Sequence, residues 1–415
     1  MVPRPPRPYI RRPVVLDCTP GPTGSANMNE ELVEPYDLRD PLVFEDGAAV
    51  TPANWGERRT EILELFEDHI YGRTPGGALS PMTEVMETGS ALDGAATRRQ
   101  VRLTFSNNDR TVAIDVLLFV PACADGPVPA FVVPNFDGNH TIADDPAIIV
   151  SAGASRDRGD DLGGRGSKAA RFPLGMIIER GFGLATFYSG DADSDIDDHF
   201  ANGVQPLYYR DDQTAPAPYE WGTIGAWAWG CSRVLDHLSG VNLIDGDRVI
   251  VGGHSRLGKT ALWAAAQDQR FAAAFSNDSG CTGAALSRRC FGENVAVINA
   301  LFPHWFCRNY RCYGNNETAL PVDQHQLIAL LAPRPVHIGS ATEDAWADPL
   351  GEFLAARAAS YVYELLGAGG LELEAFPSPG EVSIGTVSYH LREGEHALGE
   401  FDWIQYLDFA DRNVR

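Results

Sequence analysis

The stretch DRVIVGGHSRLGKTALWAAAQD, residues 247–268, carries the strongest indication of the fold. A β-branched run leads into the sequence GGHS, which ends at Ser255, and a helical pattern begins directly after Gly258. A strand, a sharp turn and a helix in this order present a serine in a strained, exposed position. Gly253 is expected to be required because a side chain there would collide with the neighbouring strand. Leu257 occupies the second glycine position of the usual G-x-S-x-G pattern, so the match is imperfect.

Short apolar runs alternate with helical patterns along most of the chain. A helix is predicted at 55–71, followed by two strands at 98–105 and 111–120. Further strands are predicted at 129–134, 182–188, 247–253, 271–276, 334–340 and 371–376. Further helices are predicted at 222–238, 258–268, 322–331 and 350–366. Strands that alternate with helices predict an α/β fold, in which a mostly parallel, twisted sheet lies between two helical layers.

The domain organisation follows from composition. The chain has 415 residues, of which 44% are hydrophobic, enough for a large buried core. Residues 1–40 are rich in Pro, Gly and Glu, and we expect them to form an extended, partly disordered arm. No linker divides residues 41–415, which are predicted to form a single domain. The N-terminus shows no apolar segment typical of a signal peptide, and no membrane-spanning run is apparent, so no membrane partner is expected.

The charge balance argues against one class of ligand. The formal net charge is −23, so a phosphate backbone would be repelled and nucleic acid is not an expected partner. Only two of the 33 basic residues are lysines, Lys168 and Lys259. Because Lys259 falls in the turn region, its presence there is harder to explain by the overall composition of the chain.

The seven cysteines show no C-x-x-C spacing, which argues against a zinc ribbon or a redox motif. Cys307 and Cys312 either close a small loop by a disulfide or, as we favour, are isolated thiols.

A serine nucleophile needs a base that accepts its proton and an acid that orients the base. His396 lies in a glycine-flanked loop before the C-terminal helix, where the chain order Ser, acid, His places such a base. His390 is the nearest alternative. Two carboxylates are candidate acids: Asp344, which follows the penultimate predicted strand and is favoured, and Asp278, which follows the strand after the Ser255 helix.

Two cations frame the predicted turn. Arg256 follows Ser255 directly and is placed to donate a charged hydrogen bond to a developing oxyanion. Lys259 lies one helical turn further on and is placed to reach a ligand hydroxyl or carboxylate. Cations at a helix N-terminus oppose the helix dipole, which indicates an oxygen-rich or anionic ligand. Ser232, in the similar string GCSR, lies within a predicted helix and is interpreted as structural.

Four strings resemble a known family: GHSRLGKTALWA, SNDSGCTGAALSRRCFGEN, SATEDAWADPLGEF and EGEHALGEFDW. They are similar to the bacterial glucuronoyl esterases of carbohydrate esterase family 15. Members of that family are α/β-hydrolases that cleave the ester between glucuronic acid on xylan and lignin alcohols. The resemblance covers roughly residues 50–412, and its S-R-x-G-K signature is fairly specific.

The resemblance implies a role for each matching residue. Ser255 matches the nucleophile, Arg256 the arginine that stabilises the oxyanion, and His396 the base. The family places its acid at either of two sites, which Asp344 and Asp278 match. The earlier site often carries Glu, so the shorter Asp278 is the weaker candidate.

The resemblance also implies the substrate and its contacts. Lys259 matches a lysine that binds the uronate hydroxyls, Glu293 a carboxylate that binds the sugar, and Trp346 an aromatic residue beside the sugar ring. The expected substrates are glucuronic acid esters of xylan or lignin–carbohydrate material, with no metal and no cofactor. An acetylxylan esterase, another carbohydrate esterase or an inert carbohydrate-binding protein on the same scaffold are the alternatives. A monomer is expected, and family members are typically secreted or periplasmic.

Overall fold

The computed structural model describes residues 13–16, 24–77, 79–210 and 212–415. Within these ranges, ten strands form one sheet, and nine α-helices accompany it. The strands are β1 (Met82–Ala91), β2 (Ala96–Asn107), β3 (Arg110–Pro121), β4 (Val128–Val132), β5 (Gly183–Phe187), β6 (Ile244–His254), β7 (Ala273–Asn277), β8 (Val336–Ala341), β9 (Val382–Ser383) and β10 (Val387–Arg392). The helices are α1 (Trp55–Phe66), α2 (Ala152–Arg158), α3 (Leu174–Glu179), α4 (Thr223–Leu238), α5 (Arg256–Gln267), α6 (Val295–Leu301), α7 (Gln324–Ala329), α8 (Pro349–Leu365) and α9 (Glu400–Asn413).

The sheet is parallel in its middle and antiparallel at both edges. Its strand order is β1-β2-β3-β5-β4-β6-β7-β8-β10-β9. The pairs from β5 to β10 run parallel, whereas β1, β2 and β3 form an antiparallel meander on one side and β9 lies antiparallel on the other. The carboxyl ends of β6, β7, β8 and β10 therefore lie along the same edge, where the loops that follow them meet.

Helices cover both faces of the sheet. Successive side chains of the central strands point to opposite faces and therefore enter two different cores. In β6, Val249 and Val251 join the core that contains the buried residues of α1, α4, α5 and α8. Ile250, between them, joins a second core with buried residues of α3 and α9. The predicted three-layer α/β architecture, with its mostly parallel sheet, is confirmed.

One predicted strand is wrong. Residues 371–376, all of them described, form no strand, and only Leu371 and Leu373 lie half-buried at the edge of the core. The last parallel strand is instead β10, whose residue Val387 pairs with Val336 of β8. The alternation of LELEAF resembles a strand, but the position beside β8 goes to the more completely buried segment of β10.

The described part of the predicted arm lies against the segment that follows β7. Gly292 N–H donates to the carbonyl oxygen of Asn27 at 2.7 Å, and Glu30 forms an ion pair with Arg289 at 2.7 Å. Cys307 is a free, buried thiol, so it forms no disulfide with Cys312. Cys312 is itself disulfide-bonded, so its interpretation as an isolated thiol is wrong. Among the described helices, none has both the length and the apolar character required to cross a membrane.

Candidate active site

Ser255 lies at the tip of the turn between β6 and α5. Its φ of +58° and ψ of −129° are strained for a residue with a side chain. The Ser255 N–H donates to the carbonyl oxygen of Asn277 at 2.8 Å, and Gly258 N–H donates to the carbonyl oxygen of Ser255 at 2.8 Å. The predicted strand, sharp turn and helix are therefore present, with Ser255 between the two elements.

Two glycines permit this turn, each for its own steric reason. A Cβ on Gly253 would lie 2.1 Å from the carbonyl oxygen of Leu257, in the first turn of α5. The predicted collision with a neighbouring strand is thus wrong, because the chain folds back on itself at this point. A Cβ on Gly258 would lie 3.0 Å from Ser276 Oγ and from Ser279 Cβ, so this glycine brings α5 close to the end of β7.

The variant Gly253→Ala is expected to lower the free energy of unfolding by about 3 kcal/mol, because backbone atoms of Leu257 and Gly258 must move to admit the methyl group. Urea denaturation followed by circular dichroism measures this change. Gly175→Ala is the matched control, since a Cβ at this exposed helical position meets nothing within 4 Å. Equal midpoints for the two variants would contradict the steric argument.

His396 and Asp344 are brought together from two loops. His396 Nδ1 lies 2.5 Å from Asp344 Oδ2. The His396 side chain is 42% exposed, whereas that of Asp344 is 3% exposed. Ser255 and His396 line the same two cavities, although no hydrogen bond joins their side chains among the contacts of the described residues. The arrangement places an oriented imidazole beside the serine, in the chain order predicted from the sequence.

Asp278 lies nearby but contacts a different set of groups. Its Oδ2 accepts hydrogen bonds from the backbone N–H of Ala397 at 3.2 Å and from Arg392 Nη2 at 3.4 Å. Its Oδ1 is buried without a hydrogen-bond partner. Burial and the neighbouring carboxylates Glu352 and Asp344 hold the pKa of Asp278 well above its usual range, so the neutral acid is favoured.

The grouping of Asp278, Asp344 and His396 has the atom types of a metal site. One ligand atom from each lies within 4.8 Å of the others. The sequence spacing gave no indication of this set, since the three residues follow three different strands. The 2.5 Å contact between His396 and Asp344 matches an imidazole held by a carboxylate, which is the arrangement expected of a general base.

Arg256 lies among three aromatic rings. Its guanidinium carbon is 5.0 Å from the ring centroid of Trp305, 5.7 Å from that of Phe302 and 5.6 Å from that of Phe136. Such contacts attract the cation electrostatically and restrict its position. Arg256 lines both cavities beside Ser255, as a residue that stabilises an oxyanion must.

Asp195 anchors this arginine and was not found from the sequence. It forms an ion pair with Arg256, and its other oxygen accepts from His304 Nε2 at 3.0 Å and Trp305 Nε1 at 2.7 Å. Burial alone raises the pKa of Asp195, but the hydrogen bonds and the Arg256 charge outweigh it and lower the pKa to about 2. The carboxylate therefore stays ionised. In the sequence, Asp195 lies in a loop before α4 and belongs to no motif, so nothing there indicates these contacts.

His254, next to the serine, is a second residue that the sequence did not single out. Its ring centroid lies 4.5 Å from that of His396, and its Nδ1 hydrogen-bonds Asn277 Oδ1 at 2.7 Å. Burial, together with the charge that His396 can carry, lowers the pKa of His254 well below its usual range. A neutral imidazole therefore packs beside the exposed one.

The three predicted sugar-binding residues line one cavity of about 310 Å³. Lys259 is buried, and its Nζ donates to the carbonyl oxygens of Ser279 at 2.5 Å and Cys281 at 2.6 Å. The same Nζ lies 3.7 Å from Glu293 Oε2. Burial raises the pKa of Glu293, although Lys259 opposes this. Trp346 is exposed, and its carbonyl oxygen accepts a hydrogen bond from the Glu293 N–H at 2.9 Å, so the aromatic residue adjoins the charged pair in the wall of this cavity.

A second cavity of about 470 Å³ meets the first at the serine. Both cavities are lined by Ser255, Arg256 and His396. An ester whose carbonyl lies at this junction would have one part in each cavity.

Comparisons with known proteins agree with this geometry. Residues 208–367 match the family model described as glucuronyl esterase, fungi. The chain is 47% identical to carbohydrate esterase MZ0003 from an unknown prokaryotic organism, covering 94% of this chain and 92% of that protein. It is 29% identical to 4-O-methyl-glucuronoyl methylesterase 1 of Wolfiporia cocos, covering 80% of this chain and 72% of the relative.

Solved structures give the same result. The fold superimposes on the glucuronoyl esterase from Solibacter usitatus with a TM-score of 0.88 and 39% identity, covering 93% of this chain and all of that one. A promiscuous CE15 esterase from a marine bacterial metagenome gives a TM-score of 0.86 at 46% identity, covering 94% of this chain and 100% of that one. From this sequence and structural similarity, the chain belongs to carbohydrate esterase family 15, the glucuronoyl esterases.

Proposed function

We propose that this protein is a serine carboxyl-ester hydrolase that cleaves esters of glucuronic acid and 4-O-methylglucuronic acid, such as those that join xylan to lignin. The observation that carries the proposal is the meeting of Ser255, Arg256 and the His396–Asp344 pair at the junction of two cavities. The name of the relative from Wolfiporia cocos describes a methylesterase for 4-O-methyl-glucuronoyl groups, which supports this substrate class.

The first half of the reaction forms an acyl-enzyme. Ser255 Oγ attacks the ester carbonyl carbon while His396 Nε2 accepts its proton. Asp344 accepts the hydrogen bond from His396 Nδ1 and so holds the tautomer whose Nε2 is free. The oxyanion accepts hydrogen bonds from the Arg256 side chain and from backbone N–H groups at the start of α5. The bond to the alcohol oxygen then breaks, and His396 returns the proton to that oxygen.

The second half releases the acid. Water attacks the acyl carbon as His396 accepts one of its protons, and the bond to Ser255 Oγ breaks with return of that proton to the serine. The same oxyanion contacts act again, because the second tetrahedral intermediate places its charge in the same position. The products are glucuronic acid and the regenerated enzyme, without a metal or a cofactor in any step.

The smaller cavity would hold the uronic acyl part. Glu293 is placed to accept hydrogen bonds from sugar hydroxyls, and Lys259 to direct its remaining N–H toward one of them. The indole of Trp346 offers an apolar face for the ring. Polar anchors around an aromatic surface are typical of small-molecule sites that bind a sugar.

A kinetic panel on the wild type tests the proposed function. The esters are methyl glucuronate, benzyl glucuronate, methyl galacturonate and acetylated xylose, and the measured quantity is kcat/KM. We expect the glucuronate esters to be preferred over acetylated xylose by at least about 100-fold, because acetylated xylose has no uronic acyl group to place in the smaller cavity. Turnover of acetylated xylose without turnover of either glucuronate ester would contradict the proposal and favour an acetylxylan esterase.

We also propose that residues 41–415 act as a single catalytic domain and that the chain is a monomer in solution. Size-exclusion chromatography with light scattering tests the second point against the 45.0 kDa mass of the chain.

A further inference from the structure

Three cations converge on one carboxylate in the wall of the larger cavity. Arg158 Nη2 lies 3.0 Å from Asp137 Oδ1, while Lys168 Nζ lies 3.9 Å and Arg171 Nη1 3.7 Å from Asp137 Oδ2. We call these four residues the cation cluster. Their cationic side chains are between 36% and 38% exposed, so they remain accessible from the cavity.

The cluster has a surplus of positive charge that the rest of the cavity does not neutralise. One aspartate balances one of the three cations. Of the other two carboxylates that line this cavity, Asp157 accepts from Arg156 Nε at 2.6 Å, and Asp195 is paired with Arg256. Among the described residues, the wall therefore has two positive charges that no carboxylate lining the cavity balances, in a chain whose formal net charge is −23.

The cluster is held on an ordered backbone. Lys168 N–H donates to the carbonyl oxygen of Thr141 at 2.9 Å, and the carbonyl oxygen of Arg171 accepts from Trp403 Nε1 at 2.8 Å. The guanidinium carbon of Arg171 lies 5.8 Å from the ring centroid of Phe136, whose ring also contacts Arg256. Cations positioned in this way lose little conformational freedom when they bind an anion.

The position of the cluster identifies which part of a substrate it meets. With the uronic acyl group in the smaller cavity and the carbonyl at Ser255, the alcohol part extends into the larger cavity, which the cluster lines. Guanidinium and ammonium groups bind carboxylates through short, charge-assisted hydrogen bonds. We propose that the cation cluster binds a carboxylate group on the alcohol part of the ester, so that the enzyme prefers acidic alcohols; this rests on the proposed function.

The test compares two esters that differ only in charge: 4-carboxybenzyl glucuronate and its neutral isostere, 4-carbamoylbenzyl glucuronate. For the wild type at low ionic strength, we expect kcat/KM to be about tenfold higher for the charged ester, and added salt should reduce this ratio. In the double variant Lys168→Gln/Arg171→Gln the ratio should fall to about one. Arg248→Gln, in the amino-terminal half of β6, outside the larger cavity and also paired with one aspartate, should retain the wild-type ratio.

Direct binding separates this inference from the proposed function. Calorimetric titration of the wild type with 4-carboxybenzyl alcohol and 4-carbamoylbenzyl alcohol measures the affinity of the larger cavity for each alcohol without any turnover. If 4-carboxybenzyl alcohol binds more tightly and this preference is lost in the double variant, the proposed role of the cation cluster is supported even where glucuronate esters are not hydrolysed. Equal binding of the two alcohols, or a preference that survives in the double variant, would overturn it.

Discussion

The variant Ser255→Ala is expected to lower kcat for benzyl glucuronate by about 10⁵-fold or more, because no acyl-enzyme forms without the hydroxyl oxygen. The methyl group replaces the hydroxyl at a half-exposed position where the side chain makes no hydrogen bond among the described contacts, so folding should be preserved. Steady-state kinetics at saturating ester measures kcat, and thermal melting followed by circular dichroism measures stability.

Ser232→Ala is the matched control, since it makes the same chemical change in the similar GCSR string within α4. Its kcat should stay within about twofold of the wild type. Undiminished hydrolysis by a folded Ser255→Ala protein would assign the reaction to another residue and contradict the mechanism. Loss of activity in both variants would point to a structural cause common to the two.

The local part of the site was predictable, because the turn is encoded by contiguous residues. The run from 247 to 268 contains the β-branched strand, the two glycines and the helix, so it indicates both the sheet and Ser255. The positions of His396 and Asp344 followed from the chain order expected of a serine, an acid and a base. Their 2.5 Å contact needed the structure, since 52 residues separate them.

The other features of the site depend on contacts between segments that are distant in the sequence. Asp195 has no motif, yet it anchors Arg256 across 61 residues. Lys168 was noticed only for its rarity, and its place in the larger cavity depends on how the segment after β4 folds back over Ser255. The strand assigned to 371–376 failed for a related reason. The alternating pattern of residues 371–376 is a property of that segment alone. Which segment pairs with β8 depends instead on competition between segments for that position in the sheet.

The second large effect is expected at Asp344. Asp344→Asn should lower kcat by about 10³- to 10⁴-fold, because an amide offers an N–H where His396 Nδ1 needs an acceptor, which favours the wrong tautomer. Asp278→Asn is the matched control, with the same change of one atom in a carboxylate a few ångströms away. It should lower kcat by less than about tenfold. Burial already favours the neutral acid there, and an amide has nearly the same shape.

The two single variants and their combination distinguish the possible acids. If Asp344 alone orients His396, the double variant should behave like Asp344→Asn, because Asp278 then has no part in setting the tautomer. If Asp278 becomes ionised when Asp344 loses its charge, Asp344→Asn alone should retain much of the activity and the double variant should lose it. A large loss of kcat in Asp278→Asn alone, with melting unchanged, would reverse the assignment, because the unpartnered Oδ1 of Asp278 would then be the group that acts on His396 during the reaction.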